Sequence, residues 1–216
     1  MFKFFKKEEP QKLNDFNFAF SKVKFILEYT NTLDEKITIL NSAIEIVKSD
    51  IIYKEFSRDL TGVFLAPFKV ITENGIMENH YTDELVEIDL SKDIVISVPW
   101  NAKRFVEKII HLKKYDFIYH ENNHFAYYFT DLDITYLYNG IHSGRAGVLF
   151  KKGFIKAKKV NIESTYPYIY YQGDYAYSSI THEKIFKIMD YRLPLLFELG
   201  KMRYNLLNEN IKNIKN

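Results

Sequence analysis

The sequence predicts an α+β protein, one mixed domain with helical extensions at both ends. Three observations carry this expectation. Apolar residues recur every three or four positions over 15–57, the texture changes after residue 84 to short β-rich runs, and a helical period returns after residue 181. The chain accordingly divides into a helical region at 1–75, the mixed domain at 76–180 and a helical extension at 181–216.

In the first region Phe16, Ala19, Phe20, Val23, Ile26 and Leu27 fall on one face of a helix, and Ile37, Leu40, Ile44 and Val47 on one face of a second. Asp15 and Thr32 are the residue types that cap such helices. "DLTGVFLAPFKVITENG" breaks the period with Gly and Pro, and reads as the connection between the helical region and the mixed domain. The runs "VEIDL", "DIVISVPW", "YDFIYH", "FAYYFT", "ITYLYN", "KAKKVNI" and "YPYIYYQ" read as strands, interrupted by helices over 101–113 and 141–151. After residue 181 the spacing of Ile185, Ile188, Met189, Leu193, Leu196, Leu199, Met202 and Leu206 is helical, with Pro194 kinking one long helix or dividing two. The chain shows no internal repeat.

The 216 residues, 47% hydrophobic and 17% aromatic, suffice for one full core. With no cysteine, the chain has no disulfide, no thiolate zinc site and no cysteine nucleophile, and a cytoplasmic protein is the expectation. The opening "MFKFFKKEEP" has no long apolar stretch, and no later run approaches the roughly 18 apolar residues of a membrane span. An unprocessed protein without a membrane partner is therefore expected. A formal net charge of +2 argues against whole-molecule attraction to nucleic acid, leaving a local basic patch as the form such attraction would take.

"HENNH", residues 120–124, has the His-Glu-x-x-His spacing of zinc peptidases, which needs a helix to bring both imidazoles onto one metal. The context is wrong for a helix. "YDFIY" before it and "FAYYF" after it are rich in aromatic and β-branched residues, and "ENN" favours a turn, so two strands joined by a turn are expected and no metal site.

The more informative stretch is the strand "ITYLYN" followed by Gly140 and "IHSGRAGVLFKKG". A glycine at the start of a helix lets the backbone approach an anion, and the free N–H groups and positive dipole end favour phosphate. His142, Ser143 and Arg145 add side-chain donors. "GIHSGRA" resembles the G-E-R-R-x-R-A box of the ParB partition proteins and their relatives of the ParB/sulfiredoxin fold: Gly140, Arg145 and Ala146 match, and His142 and Ser143 stand where two arginines would be. Upstream, "EIDLSKDIVISVPWNAKR" is similar to the family's opening strand and Asn-Pro-Arg segment, with Asn101 and Arg104 in the comparable places. The resemblance covers about residues 84–164.

What the resemblance implies is a ParB/sulfiredoxin-like fold and phosphate binding at the box, with a nucleoside triphosphate and magnesium as the ligand to test and Gly140, Ser143, Arg145, Asn101 and Arg104 as its contacts. Members of the fold bind CTP or ATP, and some relatives are nucleases. The missing arginine pair removes the bidentate geometry of a ParB-type clamp, and the absence of cysteine excludes the sulfiredoxin reaction. The tail after residue 181 is too short for a ParB DNA-binding domain plus a dimerisation domain.

Pairing adds a further expectation. If "FAYYFT" and "ITYLYN" form a hairpin with Thr130 opposite Ile134, residue 124 lies beside residue 140. His124, His142 and Arg145, with Asn123 or Asn139, then form one polar cluster in which His124 and His142 transfer protons or, with a carboxylate, hold a divalent metal. Elsewhere "KKGFIKAKK" reads as a half-exposed strand, the six tyrosines of "STYPYIYYQGDYAY" as ordinary sheet surface, and Trp100 as a core or lid residue. Two function classes remain. One is a ParB-like nucleotide- or nucleic-acid-phosphate-binding protein, with phosphohydrolase or nuclease activity as its extension. The other is a non-enzymatic interaction protein, such as a component of a bacterial defence or mobile-element system, that binds a protein partner or a second copy through its terminal helices.

Overall fold

A computed structural model describes residues 11–53, 69–75, 77–172, 175–188 and 190–215. The chain is α+β. Helices α1 (Gln11–Glu28) and α2 (Leu33–Tyr53) come first, then a hairpin of β1 (Lys69–Ile71) and β2 (Met77–Asn79). The mixed part runs β3 (Tyr81–Asp89), β4 (Val95–Ile96), α3 (Ala102–Lys114), β5 (Phe125–Phe129), β6 (Ile134–Asn139), α4 (Ile141–Phe150) and β7 (Phe154–Val160). A 3-10 turn, a three-stranded sheet of β8 (Ile169–Gln172), β9 (Tyr175–Ser178) and β10 (Lys184–Lys187), and α5 (Arg192–Lys215) complete it.

The central sheet has the order β3-β7-β5-β6-β4, with β5 parallel to β7, β4 parallel to β6, and the other pairs antiparallel. Alternation along each strand serves two cores. Ala126, Leu137, Ile155 and Ala157 face one side with Ile141 and Val148 of α4, and Phe105 and Leu112 of α3 close over Ala146. Phe129, Ile134, Tyr136 and Val160 face the other side, where Leu40, Ile44 and Leu196 of α2 and α5 bury them. Arg192 fastens that helical layer, bonding Asp190 beside it and the Asp50 carbonyl (3.0 Å) at the end of α2.

Several local expectations need correction. Thr32 caps α2 through a reciprocal pair, its Oγ1 accepting from the Glu35 N–H (3.2 Å) while its own N–H donates to Glu35 (3.1 Å). Asp15, by contrast, lies inside α1, which begins at Gln11. The region after 181 is not helical throughout. Lys184–Lys187 pairs with β9 as an edge strand, and α5 starts only at Arg192, so Pro194 sits in its first turn, where no intrahelical N–H is required. "YDFIYH" is irregular rather than a strand, and "DIVISVPW" contributes only the two residues of β4. Within the expected connection, Lys69–Ile71 forms β1 while 59–68 lie outside the described residues, as does the opening "MFKFFKKEEP". No helix among the described residues is long and apolar enough to cross a membrane.

Candidate functional site

The hairpin register brings His124 to the glycine by an unexpected route. Phe129, not Thr130, pairs with Ile134, which taken alone would shift the strand by one residue. An irregularity between Phe125 and Ala126 restores the offset, so Phe125 pairs with Asn139 and His124 reaches Gly140. The approach is close enough to demand glycine: a Cβ on residue 140 would lie 2.4 Å from Cδ2 of His124 and 2.9 Å from the carbonyl oxygen of Asn123. Gly140 also has φ +69°, the left-handed region. Ser97 Oγ donates to the Ile141 carbonyl (2.8 Å), tying the first turn of α4 to the end of β4.

His124 is 2% exposed, and its ring lies among those of Phe117 (5.2 Å between centroids), Tyr119 (5.8 Å) and His120 (5.9 Å). Both its nitrogens are engaged. Nδ1 accepts from the backbone N–H of His120 (2.9 Å), so in the neutral ring the proton sits on Nε2, which faces Ser143 Oγ at 2.8 Å. Ser143 Oγ in turn donates to the Gly140 carbonyl (3.0 Å). Burial first, then the charges of His120 and Lys108, pull the His124 pKa down to about 4. At neutral pH the ring is uncharged and donates to the serine, the opposite of what activates a serine nucleophile. His124 therefore holds the glycine turn in place.

The loop from α3 to β5 makes a single turn there, with His124 N–H bonded to the His120 carbonyl (2.9 Å). That turn stacks the two rings of "HENNH", which two strands joined by a tight turn would have kept apart. The peptidase arrangement still does not form, because Nδ1 of His124 is occupied by backbone and no group of three or more His, Asp or Glu among the described residues is placed to hold a metal.

The N-terminus of α4 opens on a cleft of about 530 Å³ between α3, this loop and the end of β6. His142 and Ser143 line it, as do Asn123, His124, Asn139 and Gly140, so the expected polar cluster is assembled apart from one member. Arg145 is that exception. One turn further along α4, it is 7% exposed and does not line the cleft, and burial lowers its pKa to about 10. Asn101 is likewise not among the lining residues. It caps α3, accepting from the Arg104 N–H (3.0 Å), and its own N–H donates to Nε2 of His142 (3.2 Å). Arg104 does line the cleft.

The opposite wall was missed in the sequence. Arg104, Lys108 and His111 recur at four and three along α3 and form one stripe facing the cleft, and with His111 and His120 four of the six histidines line it. Trp100, 61% exposed, stands at the rim rather than in a core, with the Arg104 guanidinium over its ring at 5.5 Å and His142 edge-on at 5.4 Å. Burial and the charges of Arg104 and Lys108 lower the pKa of His142 from its usual value. Glu107 and Asp116 also line the space, the latter 3.7 Å from Lys152.

Fold and site together define an α+β protein with a preformed cleft in which a glycine-led helix N-terminus faces a cationic helical stripe. The chain belongs to the DUF6710 family, a family of unknown function, whose model matches residues 2–210. No curated protein and no solved structure matches it.

Proposed function

We propose that the cleft binds the phosphate group of a nucleotide or nucleic acid, in an arrangement of the ParB/sulfiredoxin type. The order of strand β6, glycine turn, helix α4 and closing strand β7, with α3 upstream and led by Asn101 and Arg104, supports this reading. One observation carries it: α4 opens into the cleft at Gly140, opposite the side chains of Arg104 and Lys108. The N–H groups of the first helical turn and the positive dipole end attract an anion, and two flanking cations complete its shell. Neutral His142, whose Nε2 accepts from Asn101, carries its proton on Nδ1 as a further donor.

Binding rather than hydrolysis is the reading the geometry favours. Each histidine already accepts a backbone N–H, so neither has a spare basic nitrogen in its neutral form with which to take a proton from water. His124 is a positioning residue in this reading, and Arg145 supports the helix from inside. A second reading, an interaction protein that docks through its helices, rests on Phe18, Tyr29 and Ile46, large side chains that α1, α2 and their connection leave exposed.

The test is thermal stabilisation by a panel of nucleoside triphosphates and pyrophosphate, with and without magnesium, on wild type and Arg104→Ala/Lys108→Ala. Both substitutions are on the exposed face of α3, so folding is retained. At a ligand concentration 100 times Kd the wild type gains about 2.7 kcal/mol and the double variant little. A wild type that no member of the panel stabilises removes the nucleotide form of the reading.

A further inference from the structure

Among the described residues, the face of the central sheet that packs on α2 and α5 is covered at only one end. Phe129, Ile134, Tyr136 and Val160 are buried there, while the same face continues past them through Tyr127, Phe125 and Tyr138 into the open. Phe125 is 41% exposed and Tyr138 38% exposed. A half-solvated sheet ordinarily carries polar residues on such a surface. Here it carries aromatic rings arranged in a row. Tyr138 stacks on Tyr127 (4.9 Å, 19°) and on Phe125 (6.0 Å, 28°), and Tyr127 meets Tyr81 at 6.1 Å.

Three further observations define what such a row accepts. Tyr138 also lines the cleft, so the two surfaces are continuous at one residue. Lysines alternate with the rings: Lys158 pairs across from Tyr127 and holds its ammonium 5.7 Å from the Tyr81 ring, and Lys156 stands two residues earlier on the same face. Among the described residues the acids of this face, Asp83 bonded to Lys158 (2.8 Å), Glu87 opposite Lys156 and Asp89 opposite Phe154, lie on the outer strand β3, whereas the rings of β5 and β6 border Lys158 and the cleft.

We propose that the open sheet face is a stacking platform for unpaired bases, and that face and cleft together bind a single-stranded nucleic acid. This rests on the phosphate-binding reading of the cleft and names its ligand class. A phosphate of the strand occupies the N-terminus of α4, and the neighbouring bases lie on Tyr138 and Phe125. Stacking on exposed rings is tolerant of sequence because every base has a π-face, and it requires bases that are not already stacked in a duplex. The lysines and Arg104 track the backbone, which makes the binding salt-sensitive.

The experiment is fluorescence anisotropy with labelled 12-mers of deoxythymidine and of uridine, a duplex of the same length, and unlabelled nucleoside triphosphate as competitor. Wild type should bind one or both single strands more tightly than the duplex and than a mononucleotide. Phe125→Ala and Tyr138→Ala should each weaken the strand about ten-fold, and Tyr138→Phe should retain binding. The deoxythymidine and uridine arms distinguish DNA from RNA as the source of the strand. Binding of the strand by both alanine variants as tight as that of wild type overturns the platform, as does a duplex bound as well as the single strand. A mononucleotide that binds as tightly as the 12-mer overturns the platform and leaves the cleft reading standing, whereas no binding of either removes both.

Discussion

Replacing Gly140 by alanine tests the geometry on which the site depends, and its cost comes from two separable terms. The first is backbone strain: at φ +69° an L-residue with a Cβ is disfavoured by about 1 kcal/mol. The second is steric. A Cβ at 2.4 Å from His124 Cδ2 and 2.9 Å from the Asn123 carbonyl oxygen is far inside the roughly 3.5–4 Å of ordinary carbon contact, and neither neighbour can give way freely. One is backbone, and the other is a buried ring bonded at both nitrogens. Forced displacement of this kind costs about 1–3 kcal/mol, so the sum is about 3 kcal/mol, or a fall in Tm of roughly 6–12 °C for a chain of this size. Gly75 supplies the control. Its φ is also +69°, but nothing lies within 4 Å of its virtual Cβ, so Gly75→Ala carries only the strain term of about 1 kcal/mol. Urea unfolding of the two variants beside wild type separates the terms. Equal losses for the two would refute the apposition of Gly140 and His124, and with it the assembled cleft.

Acid should weaken the fold through His124. An unfolded histidine titrates near 6.5 and the folded ring near 4, so below pH 6.5 the unfolded chain takes up a proton that the folded chain refuses, and stability falls as pH drops toward 4. The gap corresponds to about 3 kcal/mol, reduced to about 2 kcal/mol by screening from cleft water, and His124→Gln should flatten the dependence of unfolding free energy on pH by that amount. An unchanged slope in the variant would place the ring in solvent. Ligand affinity should move the opposite way. Burial first, then the charges of Arg104 and Lys108, depress the His142 pKa; an anion between those two side chains offsets their charges and raises it, so phosphate binding favours a proton on Nε2 in place of the Asn101 contact and tightens as pH falls through the histidine range. Titration calorimetry in buffers of different ionisation enthalpy reads that proton, and its absence in wild type would put the anion elsewhere. Ser143→Ala should cost about 1 kcal/mol of stability, because it removes the acceptor of the His124 Nε2 proton and the bond to the Gly140 carbonyl.

How much of this was legible in the sequence differs between elements for physical reasons. The glycine turn and α4 could be read because glycine before a helical run has a local meaning, and the cap at Thr32 because its partner Glu35 is three residues away. The meeting of His124 with Gly140 could be inferred from strand pairing, although the offset came from an irregularity at Phe125 that no residue type announces. β10 was hidden because Ile185 and Ile188 continue the helical spacing of α5 by coincidence, and edge pairing with β9 overrode it. Arg145 misled because a motif position says nothing of which way a second-turn side chain points once α4 is packed on the sheet. The α3 stripe was available all along in the four- and three-residue spacing of Arg104, Lys108 and His111, but it acquires meaning only when the facing wall is known.

The most direct test of the phosphate cleft is isothermal titration calorimetry of a nucleoside triphosphate and of a single-stranded 12-mer into wild type and into Arg104→Glu/Lys108→Glu, with circular dichroism to verify that the variant is folded. Saturable binding of at least one ligand to wild type, lost on charge reversal, is the expected result. A folded variant that binds as wild type does, or a wild type that binds neither ligand, would contradict it.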